Sequence, residues 1–272
     1  MLRYKLICSD LDDTLITSGA ELTERTKDAV RRYKEAGGRF CIVTGRMTPG
    51  AIPVCKELGL DTETATYQGA VVTDLSTGEV IFKTVIDNSK AVKIIRYIES
   101  RGFYCQTYSG DEFWTRKAEP HTVLYGKLSS ARYRETGIPL SEAVEKERLE
   151  PPKILIMAEP EKVPAFEKEL IEKFGDDFLI NTSKPFIIEI IPKDISKAKA
   201  VESIAKRHGI KREEIICVGD SENDLTMLTY AGLGVAVSNA SDYVKSFVKA
   251  VAPDNNSDGV AWVIDNYGLR EE

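Results

Sequence analysis

The sequence predicts an α/β protein built on a Rossmann-like, doubly wound parallel sheet. Three short apolar runs rich in β-branched residues, each followed by a helical pattern, are typical of buried strands in such a sheet. The runs end at Asp10, Thr44 and Asp220. Because ligands of open α/β sheets bind beyond the carboxyl ends of the strands, we expect these three side chains to meet in one site.

The first part of the chain alternates strands and helices. After the strand before Asp10, an apolar stripe predicts a helix over residues 23–36, which ends at two glycines. A strand over 40–43, a helix over 49–58 and an extended segment through 66–72 follow. This is the order of βαβ units, for which right-handed crossovers are expected.

From about residue 83 the pattern becomes a mixture of strands and helices that is typical of a separate α+β domain. The predicted elements there are helices over 88–100 and 160–174 and strands over 103–108, 113–116, 153–157 and 178–181. Alternation then returns with strands over 186–191, 215–219 and 234–237 and helices over 196–208, 222–230 and 259–267. We therefore predict a discontinuous core of residues 1–83 and 184–272, with residues 84–183 as an inserted domain.

The amino-acid composition limits the classes of partner that the protein is expected to bind. Hydrophobic residues make up 42% and charged residues 29% of the chain, which is typical of a soluble globular protein. The net charge of −6 repels nucleic acid and anionic lipid. No apolar stretch approaches the roughly 18 residues of a spanning helix, and the amino terminus shows no signal-peptide core. We expect a cytoplasmic protein without nucleic-acid or membrane partners, as a monomer or homodimer.

Cysteine and histidine usage argues against a zinc site. The five cysteines show no C-x-x-C spacing, and Cys8, Cys41 and Cys217 fall inside predicted strands, which favours reduced, buried thiols. The only histidines are His121 and His208, too few for a multi-histidine metal site.

The strongest motif is Asp10-Leu11-Asp12-Asp13-Thr14, directly after a buried strand. Two carboxylates facing one crevice are costly unless a cation or chemistry compensates for them. One aspartate can attack phosphorus, while the other protonates the leaving oxygen and then activates water. In the alternative interpretation the motif only forms a turn and caps a helix.

A second acidic cluster, Asp220-Ser221-Glu222-Asn223-Asp224, follows another predicted strand. Carboxylate oxygens without histidine or cysteine favour Mg²⁺ over zinc. Ordinary acidic residues of a first helical turn would explain Asp224 but not Asp220 at the end of a strand.

Two further features favour phosphate binding. Lys197 lies on the predicted inward face of its helix and needs an anion, such as phosphate with Asp10 or Asp220, unless it is a surface lysine. Thr44-Gly45-Arg46 offers a hydroxyl and backbone N–H groups to a phosphate oxygen, and Arg46 either contacts the substrate or caps its helix.

Together these motifs resemble the haloacid dehalogenase superfamily, and the inserted segment resembles the C2 cap of its Cof-type, or IIB, branch. The resemblance implies that Asp10 is the nucleophile and Asp12 the general acid/base. It implies that Asp10, the Asp12 carbonyl, Asp220 and Asp224 surround Mg²⁺. The predicted phosphate-binding and substrate-binding residues are Thr44, Gly45, Arg46, Lys197 and Asn223. The chain departs from the usual motifs at Asp13, Ala198 and Gln68, which replace Gly, Gly and Asn.

The resemblance implies a Mg²⁺-dependent phosphatase that hydrolyses a small phosphorylated metabolite, a sugar phosphate as in relatives of the branch, through an aspartyl phosphate. A phosphohexomutase-like phosphotransferase and a non-catalytic phosphate-sensing or interaction protein are the alternatives. We expect the inserted domain to choose the substrate, with residues 108–117 forming either a sugar-facing lip or a solvated hairpin.

Overall fold

The computed structural model describes residues 2–129 and 131–270; residues 1, 130, 271 and 272 lie outside this description. The chain forms two compact units. The first contains the chain up to Phe82 and again from Ser196, and the second is Lys83–Ile195. The second unit is therefore inserted into the first in sequence.

The amino-terminal part of the first unit follows the predicted alternation closely. Its elements are β1 (Leu6–Ser9), α1 (Glu24–Glu35), β2 (Arg39–Ile42), α2 (Thr48–Glu57), β3 (Glu63–Thr66), β4 (Val71–Asp74) and β5 (Val80–Lys83). Helix α1 starts where expected because the Thr23 hydroxyl accepts a hydrogen bond from the Thr26 N–H at 3.1 Å. Its apolar stripe, which includes Val30 and Tyr33, is buried.

The predicted extended segment through 66–72 is wrong at Tyr67–Gly69, whereas Thr66 and Val71 lie in strands as expected. The chain turns through Tyr67–Gly69 as a 3₁₀ turn, so that β3 and β4 pair antiparallel and form a three-stranded sheet with β5. Tyr67 and Gln68 have φ values of 52° and 60°, in the left-handed region. Neither residue is a usual marker of that conformation, so hydrophobic patterning did not reveal the turn.

The second unit is an α+β layer. Its elements are α3 (Asn88–Ser100), β6 (Tyr104–Ser109), β7 (Glu112–Thr115), α4 (Pro120–Ser129), β8 (Arg132–Glu135), α5 (Leu140–Lys146), β9 (Ile154–Met157), α6 (Val163–Phe174), β10 (Phe178–Lys184) and β11 (Ile187–Pro192). The strands form one sheet in the order β10-β11-β9-β6-β7-β8. Residues of α3 and α6, such as Ile94 and Phe166, pack in one apolar cluster with Ile156 and Ile188 of the sheet. The sequence analysis did not predict α4, β8 or α5.

The end of the second unit differs from the predicted boundary at residue 183. Strand β11 pairs antiparallel with both β9 and β10, so the unit continues to Ile195. Its sequence, IIEIIP, is apolar except for Glu189, and such a run is equally typical of a buried parallel strand. The prediction therefore placed this strand in the returning core alternation.

The chain then re-enters the first unit. The remaining elements are α7 (Lys197–Arg207), β12 (Ile215–Gly219), α8 (Leu225–Tyr230), β13 (Leu233–Val237), α9 (Asp242–Lys245), β14 (Ala250–Ala252) and α10 (Gly259–Val263). Five strands form an all-parallel sheet in the order β14-β13-β12-β1-β2. The elements α9 and β14 were not predicted.

Side chains alternate between the two faces of this parallel sheet. Ile7 and Phe40 pack in a cluster with residues of α1 and α10, whereas Cys8 and Cys41 pack in a second cluster with residues of α7 and α8. Helices thus cover both faces, which confirms the α/β fold class. All five cysteines are buried and free, as expected. No helix within the described residues is both long and apolar enough to cross a bilayer.

Candidate active site

The site lies at the carboxyl ends of β1 and β12, which are adjacent parallel strands in register. Asp10 follows β1, and its N–H donates to the Val218 carbonyl at 2.9 Å. One carboxylate oxygen each from Asp10, Asp220 and Asp224 lie within 4.8 Å of one another. The structure therefore brings the motif that begins at Asp10 together with the acidic cluster that begins at Asp220.

Lys197 joins this cluster from the start of α7. The helix begins there because the Ser196 hydroxyl accepts from the Lys199 N–H at 3.2 Å. The Lys197 side chain is only 1% exposed, and its Nζ donates to Asp10 Oδ1 at 2.5 Å and to Asp224 Oδ1 at 2.6 Å. Lys197 is thus a buried lysine, and its second carboxylate partner is Asp224 and not Asp220.

Asp224 holds the loop after β12 in place. Its Oδ2 accepts from the backbone N–H groups of Asp220 and Ser221, each at 3.0 Å. A Cβ on Gly219 would lie 2.6 Å from Asp224 Cγ, so the carboxylate can lie against this backbone only because residue 219 is glycine. Both oxygens of Asp224 therefore have hydrogen-bonding roles within the cluster.

The cluster contains three carboxylates and one ammonium. Burial raises the pKa of Asp10 well above its ordinary value, and Asp224 and Asp220 raise it further, while Lys197 opposes the rise. Burial and the Asp224 charge raise the pKa of Asp220 to about 6. Burial alone would lower the pKa of Lys197, but Asp10 and Asp224 outweigh it and raise that pKa. The fully ionised cluster would carry excess negative charge.

These residues fit a small, hard cation. The donors are all carboxylate oxygens, they converge within 4.8 Å, and their excess negative charge requires compensation. Asp220 is also oriented, because Thr14 Oγ1 donates to its Oδ1 at 2.7 Å. The Asp12 carboxylate does not belong to this convergent group, and a contact through the Asp12 carbonyl stays a prediction.

Arg46 forms a bidentate ion pair with the Asp12 carboxylate. Its Nε donates to Oδ2 at 2.9 Å and its Nη2 donates to Oδ1 at 2.6 Å. The third nitrogen, Nη1, donates to the Gly50 carbonyl at 3.2 Å. The predicted substrate contact of Arg46 stays a prediction; in the structure its guanidinium contacts Asp12 and the Gly50 carbonyl.

Thr44 and Gly45 form a tight turn after β2. Thr44 is buried, and its Oγ1 accepts from the Arg46 N–H at 3.1 Å. The Thr44 carbonyl accepts from the Gln68 N–H at 3.1 Å, which ties this turn to the one at Tyr67–Gly69. A Cβ on Gly45 would lie 2.5 Å from Gln68 Nε2, so the Gln68 amide occupies the space that glycine leaves.

Asn223 is linked to the same amide. Its Nδ2 donates to Gln68 Oε1 at 3.2 Å, and its Oδ1 accepts from Ser221 Oγ at 2.7 Å. Gln68 therefore connects the loop that follows β12 with the turn that follows β2. The sequence marked Gln68 only as a departure from the usual asparagine and did not reveal this contact.

Sequence reasoning gave no separate role to Thr14 or Ser221, although both lie inside the quoted motifs. Their hydroxyl groups orient Asp220 and Asn223, respectively. The replacement of a usual glycine by Asp13 has a local explanation. Asp13 has a φ of 56°, in the left-handed region that glycine favours and that aspartate tolerates better than most residues.

Comparisons with known proteins agree with this geometry. A family model described as haloacid dehalogenase-like hydrolase matches residues 7–264. The 5-amino-6-(5-phospho-D-ribitylamino)uracil phosphatase YitU of Bacillus subtilis is 27% identical over 96% of this chain and 97% of its own length. A haloacid dehalogenase-like hydrolase from Bacteroides thetaiotaomicron has a solved structure with a TM-score of 0.88 and 30% identity, over 96% of this chain and 98% of that one.

A second solved structure shows the same fold at lower identity. It is that of the HAD subclass IIB sugar phosphatase BT4131, with a TM-score of 0.83 and 21% identity. The match covers 98% of this chain and all of that one (100%).

Proposed function

We propose, on the premise that this chain belongs to the haloacid dehalogenase-like hydrolase family and is a phosphatase, that it hydrolyses a small phosphorylated metabolite with the aid of Mg²⁺. The observation that carries the proposal is the buried cluster in which Lys197 contacts both Asp10 and Asp224 beside Asp220. A cluster of this composition can receive a phosphoryl group and its counter-cation together.

In the proposed first step, the Asp10 carboxylate attacks phosphorus. The bond from Asp10 to phosphorus forms, the ester P–O bond breaks, and Asp12 gives a proton to the leaving oxygen. In the second step water attacks the aspartyl phosphate, Asp12 takes a proton from that water, and inorganic phosphate leaves. Asp12 ends each cycle in the protonation state in which it began.

The remaining polar groups would position the phosphoryl group. Lys197 supplies positive charge, Thr44 a hydroxyl, Gly45 a backbone N–H and Asn223 an amide beside the cluster. Asp10, Asp220 and Asp224, with the Asp12 carbonyl, would hold Mg²⁺, which supplies charge neutralisation to the phosphoryl oxygens when bound. Most of the catalysis would then be positioning and electrostatic stabilisation.

The substrate class is argued from chemistry and from relatives. The first unit's polar residues would recognise only the phosphate, so the inserted unit, Lys83–Ile195, would act as a cap that chooses the rest of the substrate. YitU is named for a substrate with a phosphorylated ribityl chain, which supports a phosphorylated sugar or sugar-derived metabolite here. A cytoplasmic location and a monomeric or homodimeric state are further parts of this proposal.

The test is phosphate release from a panel of sugar phosphates, sugar-alcohol phosphates and p-nitrophenyl phosphate, with Mg²⁺ or with EDTA. We expect release of inorganic phosphate only with Mg²⁺. With a hexose 1-phosphate, conversion to the 6-phosphate without phosphate release would instead identify a mutase. Failure of every substrate in the presence of Mg²⁺ would contradict the proposal and favour a phosphate-sensing protein.

The raised pKa of Asp220 predicts a pH-dependent stability in metal-free protein. The folded state keeps this proton up to about pH 6, whereas the unfolded chain releases it near the ordinary aspartate pKa of 3.8. The folded state binds more protons between these values, so stability falls as the pH rises through them. Asp220→Asn has no carboxyl group there and should not lose stability in this way. The free energy of unfolding of wild type, relative to that of the variant, should therefore fall by on the order of 2 kcal/mol between pH 4 and pH 6.5.

Urea unfolding in EDTA at several pH values measures this difference. Excess Mg²⁺ should reduce the stability that wild type loses as the pH rises, because a bound cation favours the ionised carboxylate. A difference between wild type and Asp220→Asn that does not change with pH would show that Asp220 ionises normally in the folded protein.

A further inference from the structure

The contact between Arg46 and Asp12 is built more firmly than a surface ion pair. All three guanidinium nitrogens of Arg46 are engaged, two by Asp12 and one by the Gly50 carbonyl. The backbone N–H of Arg46 is fixed on Thr44 Oγ1, and its side chain is 19% exposed. The Asp12 side chain is 48% exposed, so Arg46 is the more firmly held partner.

We propose that Arg46 acts in the reaction through Asp12, as a positioning residue that aims the carboxyl group, and does not act as a ligand of the substrate phosphate. This inference rests on the proposed function and deepens it. A planar guanidinium that contacts both oxygens restricts both side-chain torsions of an aspartate, which a single hydrogen bond does not do. Asp12 and the Gly50 carbonyl already take three of the five guanidinium N–H donors of Arg46.

The bidentate ion pair is compatible with proton transfer from Asp12 to the leaving oxygen. When Asp12 is protonated on Oδ1, the contact with Nη2 opens, while Oδ2 still accepts from Nε and keeps the group aimed. The proton passes from Oδ1 to the leaving oxygen as the ester P–O bond breaks, and the pair closes again on the ionised carboxylate. Arg46 remains a cation throughout, so it gains and loses no proton.

The dependence of kcat/KM on the leaving group distinguishes an Arg46 that positions Asp12 from an Arg46 that binds the substrate phosphate. An alkyl phosphate needs a proton on its leaving oxygen, whereas p-nitrophenolate leaves without one. The value of kcat/KM reports only steps up to departure of the leaving group, so later hydrolysis of the aspartyl phosphate does not obscure it. We expect Arg46→Gln to lower kcat/KM roughly 10-fold to 100-fold for an alkyl phosphate but less than about 3-fold for p-nitrophenyl phosphate.

Two further variants sharpen the experiment. Arg46→Lys keeps the charge but loses the planar fork, so its kcat/KM on the alkyl phosphate should lie between those of wild type and Arg46→Gln. The matched control is Arg32→Gln, because Arg32 also contacts carboxylates, Asp28 at 2.8 Å and Asp265 at 2.7 Å, but from helix α1. Arg32→Gln should leave both kcat/KM values unchanged.

A double-mutant cycle completes the test. If Arg46 acts through Asp12, adding Arg46→Gln to Asp12→Asn should change kcat/KM for the alkyl phosphate by less than about 3-fold. Equal losses on both substrates that persist in Asp12→Asn would identify Arg46 as a phosphate ligand and overturn the inference. No loss on either substrate would reduce the pair to a structural contact. In both cases an active wild type would leave the proposed function intact, whereas an inactive wild type would overturn both proposals.

Discussion

Replacing Asp10 by asparagine should abolish turnover while the protein stays folded. Asparagine has the same size and keeps an oxygen that can accept from Lys197 Nζ, which lies 2.5 Å from Asp10 Oδ1. It has no carboxylate with which to form an acyl phosphate. Because loss of a nucleophile removes the reaction route and not only one contact, we expect kcat to fall by about 10⁴-fold or more. Initial-rate assays with Mg²⁺ and p-nitrophenyl phosphate measure this.

The stability of Asp10→Asn gives an independent check. The substitution removes one of three clustered carboxylates from a side chain that is 8% exposed, so the metal-free variant should unfold at a temperature no lower than wild type. The matched control is Asp13→Asn, because Asp13 is exposed in the same loop and asparagine tolerates its left-handed φ of 56°. The control should keep its activity within about 3-fold. A folded Asp10→Asn that retains wild-type kcat would remove Asp10 from the role of nucleophile.

The sequence predicted the part of the fold that local patterns determine. Helix α3 occupies Asn88–Ser100, the predicted range, because an apolar stripe coincides with a capping aspartate whose Oδ1 accepts from the Ser89 N–H. The membership of β11 in the second unit depends on its pairing with β9 and β10. Such pairing is a tertiary property, and a largely apolar sequence does not specify it.

The convergence of the site residues was predictable for the same reason that the parallel sheet was. Adjacent parallel strands place their carboxyl ends together, so Asp10 and Asp220 had to meet once β1 and β12 were neighbours. Partners that depend on side-chain torsions were not predictable. Arg46 stands 34 residues from Asp12 in sequence, and nothing in the spacing indicates that its guanidinium contacts both carboxylate oxygens. That Lys197 contacts Asp224 and not Asp220 was unpredictable for the same reason.

Replacing Lys197 by methionine should remove both activity and a large part of the stability. Methionine has similar length but no charge, so Asp10 and Asp224 would remain buried without the ammonium that contacts them both. Breaking a buried ion pair on one side costs about 3–5 kcal/mol. Since Asp10 and Asp224 raise the pKa of Lys197, its stabilising charge is fully present below the ordinary lysine pKa of 10.5. It is lost only as the pH rises through the higher pKa of the folded state. At neutral pH the variant should therefore show the full loss of unfolding free energy.

Acid should reduce this loss of stability, because burial raises the pKa of Asp10 well above its ordinary value, and protonation of Asp10 removes a charge that lost its partner. Urea unfolding of metal-free protein at pH 7 and pH 4.5, with phosphate-release assays at pH 7, measures both effects. The matched control is Lys206→Met on the same helix, where the lysine side chain is 74% exposed and pairs with Glu202 at 2.8 Å. Because exposed ion pairs contribute little to stability, Lys206→Met should leave both stability and turnover close to those of wild type. If Lys197→Met were as stable as Lys206→Met at pH 7, the carboxyl groups of Asp10 and Asp224 would not carry the charge on which the proposed nucleophile depends.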